Sequence, residues 1–262
     1  MTPRPDRIIC LTEETVETLY LMGEADRIVG VSGFVVRPPE ARRKPKVSTF
    51  TDAKIDEILA LNPDLVFTFS DIQAEIAANL IRAGLEVHAF NHRTVAGIFA
   101  MIGTVGALIG EPAKAEALAA VLHANIDAAR AKAKSLKSRP RVYFEEWDEP
   151  MISAIGWVSE LIEIAGGENV FADRAFGKAA KDRFVTSEEV MNAAPDIIIG
   201  SWCGKGFKKQ QVAARPGWDA IPAVKNGRLY EIKSSIILQP GPAALSDGLE
   251  ALTTIIDRIL VE

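Results

Sequence analysis

At 262 residues, with 48% hydrophobic and 25% charged side chains, the chain has the composition of a folded globular protein, with room for one large domain or two of ordinary size. A net charge of −5 and the lack of a basic stripe weigh against a nucleic-acid surface. There is no run of about 18 apolar residues, so no segment is expected to span a membrane.

The opening stretch, MTPRPDRIICL, has no apolar core of signal-peptide length before its first strand. The expectation is that the chain either stays in the cytoplasm or has lost an export signal. Apolar runs then follow in order and read as buried parallel strands: RIICL, IVGVS, DLVFTF and EVHAF, and later RVYFEEW, DIIIGS and LYEIK. Between them lie segments with helical spacing. One carries Val16, Leu19 and Tyr20 and stops at Gly23. Another carries Ile55, Ile58 and Leu59 and stops before Pro63, and a third carries Ile76, Leu80 and Ile81 and ends at Gly84. Strands alternating with helices predict an α/β fold with parallel sheets covered on both faces.

From Pro112 to about Leu136 the sequence is rich in Ala, Leu, Lys and Glu and contains no Gly. Pro112 suits the first turn of a helix and Pro140 lies past its end. Some 25 residues of helix would be roughly 38 Å long, which suits a strut between domains. His123 lies within it and reads as a helix-surface residue. The expected organisation is an N-terminal α/β lobe over 1–110, a connecting helix over 111–138 and a C-terminal α/β lobe over 139–262.

A repeat supports two lobes. IDEILALNPDLVFTFSD begins at Ile55 and SEEVMNAAPDIIIGSWC at Ser187, which places Asp64 and Asp196 132 residues apart. The strand openings at Arg7 and Arg141 are 134 apart. In such sheets ligands bind beyond the carboxyl ends of the strands, and two lobes would offer two walls of a cleft.

Those strand ends supply the candidate residues. The first lobe delivers Thr12, Glu13, Phe34, Phe50, Phe69, Ser70, Asp71, Asn91 and His92. The second delivers Glu145, Glu146, Trp147, Asp148, Trp202, Cys203, Lys205, Lys233, Ser234 and Ser235. Aromatic side chains on several loops point to an apolar ligand face; the alternative is that they plug the ends of the core. In FEEWDEP, paired carboxylates suit acid–base chemistry, a metal, a cationic group or a solvated acidic loop. Three histidines without HExxH or CxxC spacing give no metal site. Cys10 reads as a buried small hydrophobe, and neither GxGxxG nor GxxxxGK[ST] occurs. No catalytic residue and no cofactor is assigned.

The segments RIICLTEETVETLYLMG, VGVSGF, KVSTFTDAKIDEILALNPDLV, IEIAGGENVF and TSEEVMNAAPDIII together resemble the class III periplasmic substrate-binding proteins, and most closely their cobalamin-binding branch. The resemblance implies two α/β lobes joined by one long helix and a monomer that binds a ligand and performs no reaction. Cobalamin or a related corrinoid would be captured between the lobes and delivered to the permease subunits of an ABC importer in the periplasm. It places corrin-packing aromatics at Phe34, Phe50 and Phe69, with Glu145, Glu146, Trp147, Trp202 and His92 as further ligand candidates. A family tryptophan falls near Asp182 and is lost, for which Trp147 and Trp202 would compensate. The first loop reads TEE where the family has Ser-Pro, although Glu17 matches a family glutamate. Phe34, where haem-binding relatives carry tyrosine, argues against haem.

The resemblance also implies that surface carboxylates at Asp56 and Glu188 dock into arginine pockets of the permease, with Glu57 and Glu189 as near substitutes. Thr186 followed by Glu189 predicts a capping box that leaves Glu188 facing outward. The alternatives are an iron–siderophore binder, or a cytosolic chelate-handling enzyme using FEEWDEP and Cys203.

Overall fold

The computed structural model describes residues 4–261; the start of the N-terminal stretch, residues 1–3, lies outside them. The chain divides into two compact units. Unit 1 comprises Met1–His92 and Ala96–Val121, and unit 2 comprises Arg93–Val95 and Leu122–Glu262.

Unit 1 runs β1 (Ile8–Cys10), α1 (Glu13–Leu21), β2 (Ile28–Ser32), β3 (Lys46–Ser48), α2 (Ile55–Ala60), β4 (Leu65–Phe69), α3 (Ala74–Arg82), β5 (Val87–Phe90) and α4 (Val95–Leu108). Its five strands lie in the order β3-β2-β1-β4-β5, and every pairing is parallel. Central β1 is buried at every position, which is why it reads as an unbroken apolar run. The core gathers Ile9, Leu11, Val47, Ile58, Val66, Ile76 and Leu80. Gly23 and Gly84 close α1 and α3 at φ +76° and +86°, the left-handed position in which glycine meets no steric penalty. The chain then enters α5 (Pro112–Lys134), and the division between the units falls inside this helix, after Val121.

Unit 2 continues with β6 (Arg141–Asp148), β7 (Met151–Ser153), α6 (Gly156–Ile164), β8 (Glu168–Asn169), α7 (Ser187–Ala193), β9 (Ile197–Gly200) and β10 (Leu229–Glu231). The sheet order is β10-β9-β6-β7, with β8 paired to β6. Here the structure corrects the all-parallel expectation. The strand read at RVYFEEW runs on to Asp148, and β7 runs antiparallel to β6 because only Glu149 and Pro150 separate them. So short a connection has no length for the crossover that a parallel neighbour needs.

The repeated Pro-Asp segment has a structural purpose that is the same in both units. The Asp64 carboxylate accepts from the backbone N–H groups of Asp6 (2.8 Å) and Arg7 (2.9 Å), and Asp64 N donates to Arg7 O (2.8 Å). In unit 2 the Asp196 carboxylate accepts from Arg141 N (2.9 Å), and Asp196 N donates to Arg141 O (2.8 Å). Each aspartate ties the start of the central strand to the strand beside it. The chain reaches each clasp through a left-handed residue before the proline, Asn62 at φ +46° and Ala194 at φ +44°.

Candidate functional site

The carboxyl ends of the unit 1 strands carry an aromatic surface with an acidic underside. Phe34, 49% exposed, stacks on Phe50 with ring centroids 5.1 Å apart and planes inclined by 18°. The loop bearing Phe34 is tied down by Gly33 N to Ser48 O (2.8 Å) and by Val36 N donating to Glu13 Oε1 (2.7 Å). Arg37 on the same loop pairs with Glu17 at 3.1 Å. Phe69 meets the ring of His92 edge-on at 5.3 Å. Its backbone N–H donates to the side chain of buried Gln73, which in turn donates to Leu11 O, so the strand end is held from beneath.

Glu13 and Glu14 are buried at the first turn of α1. Burial pushes the Glu13 carboxyl up to about 7, opposed by the Val36 N–H and assisted by Glu14 and Glu17. Burial likewise pushes Glu14 up to about 7, although the Thr12 hydroxyl donates to Glu14 Oε1. Glu14 Oε2 has no hydrogen-bond partner. The TEE sequence was legible as a departure, but nothing local shows that two of its carboxyl groups are sealed under the helix.

Unit 2 revises the expected set more heavily. Glu145 is fully buried, and its carboxylate accepts from Arg215 (2.6 and 3.0 Å), Trp202 Nε1 (3.1 Å) and the Tyr143 hydroxyl (3.0 Å). Burial, then the Glu145 charge, drives the Tyr143 phenol well above its usual range. Trp202 is 3% exposed and belongs to the core with Phe207 and Trp218. Glu145 therefore leaves the ligand set, its oxygens spent on Arg215, Trp202 and Tyr143, while the ring of Trp202 lies behind Lys205, whose Nζ is 5.1 Å from its centroid. Glu146 forms a two-pronged ion pair with buried Arg183. Trp147 stays half-buried at the end of β6, its Nε1 donating to Glu149 O at 2.9 Å.

The structure adds two aromatics that were not anticipated. Phe176 is 54% exposed and Phe184 41% exposed. Phe184 bridges to Ile152 beside the β6–β7 turn, two positions from the Asp182 site where an aromatic had been expected to be lost. Their only sequence signal is that each sits in a polar, glycine- and charge-rich segment, where a large apolar side chain stands out.

The two paired helices also differ within themselves. Glu57 pairs with Lys54 at 3.0 Å. Glu189 accepts from Thr186 N (2.7 Å) in the expected capping box. It also pairs with Arg174, whose guanidinium holds the Glu189 carboxyl down at about 2. Asp56 and Glu188 are exposed, and neither has an ion-pair partner among the described residues.

A family model described as periplasmic binding protein matches residues 8–236 of this chain. An uncharacterised ABC transporter substrate-binding lipoprotein of Bacillus subtilis is 26% identical over 257 residues, which span 95% of this chain and 79% of that one. A vitamin B12-binding protein of Vibrio parahaemolyticus is 26% identical over 253 residues, 94% of this chain and 87% of its own. Among solved structures, the periplasmic heme-binding protein BhuT in complex with two hemes superposes with a TM-score of 0.82 at 24% identity, covering 97% of this chain and 98% of that one. That likeness speaks to the fold.

Proposed function

Because the chain belongs to the periplasmic binding protein family, we propose that it is the solute-binding component of an ABC importer, taking cobalamin or a related corrinoid on the strand-end loops of its units and passing it to the membrane permease. The stacked, half-exposed Phe34–Phe50 pair carries this reading. A flat aromatic face kept in water at the carboxyl edge of a parallel sheet is costly unless a broad apolar ligand covers it. A corrin macrocycle is such a ligand. Phe69 with His92 on unit 1, and Trp147, Phe176 and Phe184 on unit 2, extend the same kind of surface. Asp56 and Glu188 are the carboxylates assigned to the permease, since their neighbours Glu57 and Glu189 are engaged within the chain. Contacts of this kind set orientation and encounter rate more than affinity.

No covalent step is assigned. The enzyme alternative loses the carboxylates on which it rested, because Glu145 and Glu146 are committed to Arg215 and Arg183. Titration calorimetry with cyanocobalamin tests the proposal, with a Phe34→Ala/Phe69→Ala double variant alongside the parent. Each buried aromatic face is worth about 1–3 kcal/mol, so the variant is expected to bind at least ten-fold more weakly. No heat from the parent would overturn the corrinoid assignment and send the same titration to ferric siderophores and haem.

A further inference from the structure

Lys205 in unit 2 is already bound by its own protein as a ligand would be. Its Nζ lies 3.9 Å from the centroid of the Trp147 ring and 5.1 Å from that of Trp202, and donates to Asp148 Oδ1 at 2.6 Å. Two indole faces and one carboxylate around an alkylammonium group are the elements of a cation-binding cage. The cage is rigid without the lysine. Trp147 Nε1 is held by Glu149 O (2.9 Å) and Trp202 Nε1 by Glu145 Oε1 (3.1 Å), and Phe207 closes on Trp202 edge-on at 5.1 Å.

The plug, by contrast, is on a loose tether. Lys205 stands between Gly204 and Gly206 in an exposed turn. Gly204 has φ +73°, and a Cβ there would meet nothing within 4 Å. The lysine side chain itself remains 39% exposed. The ion pair is only partly exposed, and a lysine over an indole ring at such a site gains about 0.5–1 kcal/mol, so an incoming quaternary cation competes with a modest interaction. The cage also sits at the carboxyl ends of β6 and β9, where a ligand of this sheet would arrive.

We propose that Trp147, Trp202 and Asp148 form a subsite for an alkylammonium or quaternary ammonium group of the transported ligand, which Lys205 occupies until that group displaces it. The subsite would select, among ligands with a broad apolar body, those that also carry a cationic substituent. Binding of a simple cation reports on it directly, so the cage and the corrinoid reading can fail separately.

The probe is tetramethylammonium chloride, titrated against sodium chloride at equal ionic strength. Its methyl resonance moves upfield when it lies over an indole face. Lys205→Ala is expected to bind it at least ten-fold more tightly than the parent. The alcohol 3,3-dimethyl-1-butanol, whose neutral tert-butyl group matches a trimethylammonium head in shape, should show no comparable gain, and adding Asp148→Asn to Lys205→Ala should return affinity towards the parent. Lys205 is exposed, so its removal leaves the fold intact, as circular dichroism will verify. Equal affinity in parent and Lys205→Ala overturns the cage, and so does an equal gain for the neutral alcohol.

Discussion

Both units bury a glutamate close to their central strand, Glu14 in the first turn of the helix after β1 and Glu145 within β6, and they accommodate it by different means. In unit 2, Arg215 comes to meet the Glu145 carboxylate, with Trp202 and Tyr143 completing its hydrogen bonds. In unit 1, no cation pairs with Glu14 among the described residues, one of its oxygens is unpartnered, and burial pushes its carboxyl up to about 7. The contrast shows that an acidic pair beside or within a central strand carries no fixed meaning. TEE and FEE look alike in sequence, yet one supplies near-neutral carboxyl groups and the other a fixed ion pair.

The comparison breaks most visibly at Arg215. Arg215→Met leaves Glu145 charged, buried and without its counter-ion, which should cost about 3–5 kcal/mol. Urea unfolding should show this as a large fall in midpoint, and adding Glu145→Gln should recover part of it. If Arg215→Met alone were nearly neutral, Glu145 would have to reach water, and the claim that it is lost to the ligand set would fall with it.

Unit 1 should respond to pH instead. The Glu14 carboxyl titrates near 4.5 in the unfolded chain and at about 7 in the folded one, so folding takes up a proton between those values. Stability from this group is fully present below pH 4.5 and is lost as pH rises through 7. Glu14→Gln, which cannot ionise, should match the parent near pH 4.5 and exceed it by about 2–3 kcal/mol at pH 8.5. Unfolding midpoints across that range decide it: parallel profiles would mean that Glu14 finds a cation or solvent after all.

What the sequence made legible was local. The Thr186–Glu189 capping box, the glycine stops at Gly23 and Gly84 and the long helix from Pro112 each depend on residues within a turn or two of one another. The strands β3, β7 and β8 were missed because KVS, MIS and EN carry no unbroken apolar run, and they exist only through the partners they pair with. Glu145 was misread for a related reason. Its partner Arg215 lies 70 residues downstream, and no spacing rule connects them. On unit 1, the positions of Phe34, Phe50 and Phe69 could be read directly, whereas the acids beneath them could not, since burial is a property of the assembled sheet.

The smallest expected effect tests the one feature the two units share most closely. Both Pro-Asp clasps are entered through a left-handed residue, asparagine at 62 and alanine at 194. Alanine pays roughly 1–2 kcal/mol for that conformation because its Cβ crowds the following carbonyl, while asparagine tolerates it with local hydrogen bonding. Glycine meets no such penalty but loses more chain entropy on folding, which offsets about 0.5–1 kcal/mol. Ala194→Gly should therefore stabilise unit 2 by up to about 1 kcal/mol, and Asn62→Gly should change unit 1 by a few tenths at most. A thermal scan showing the larger gain at Asn62 would mean that the two clasps, alike in their hydrogen bonds, carry their strain at different points in the chain.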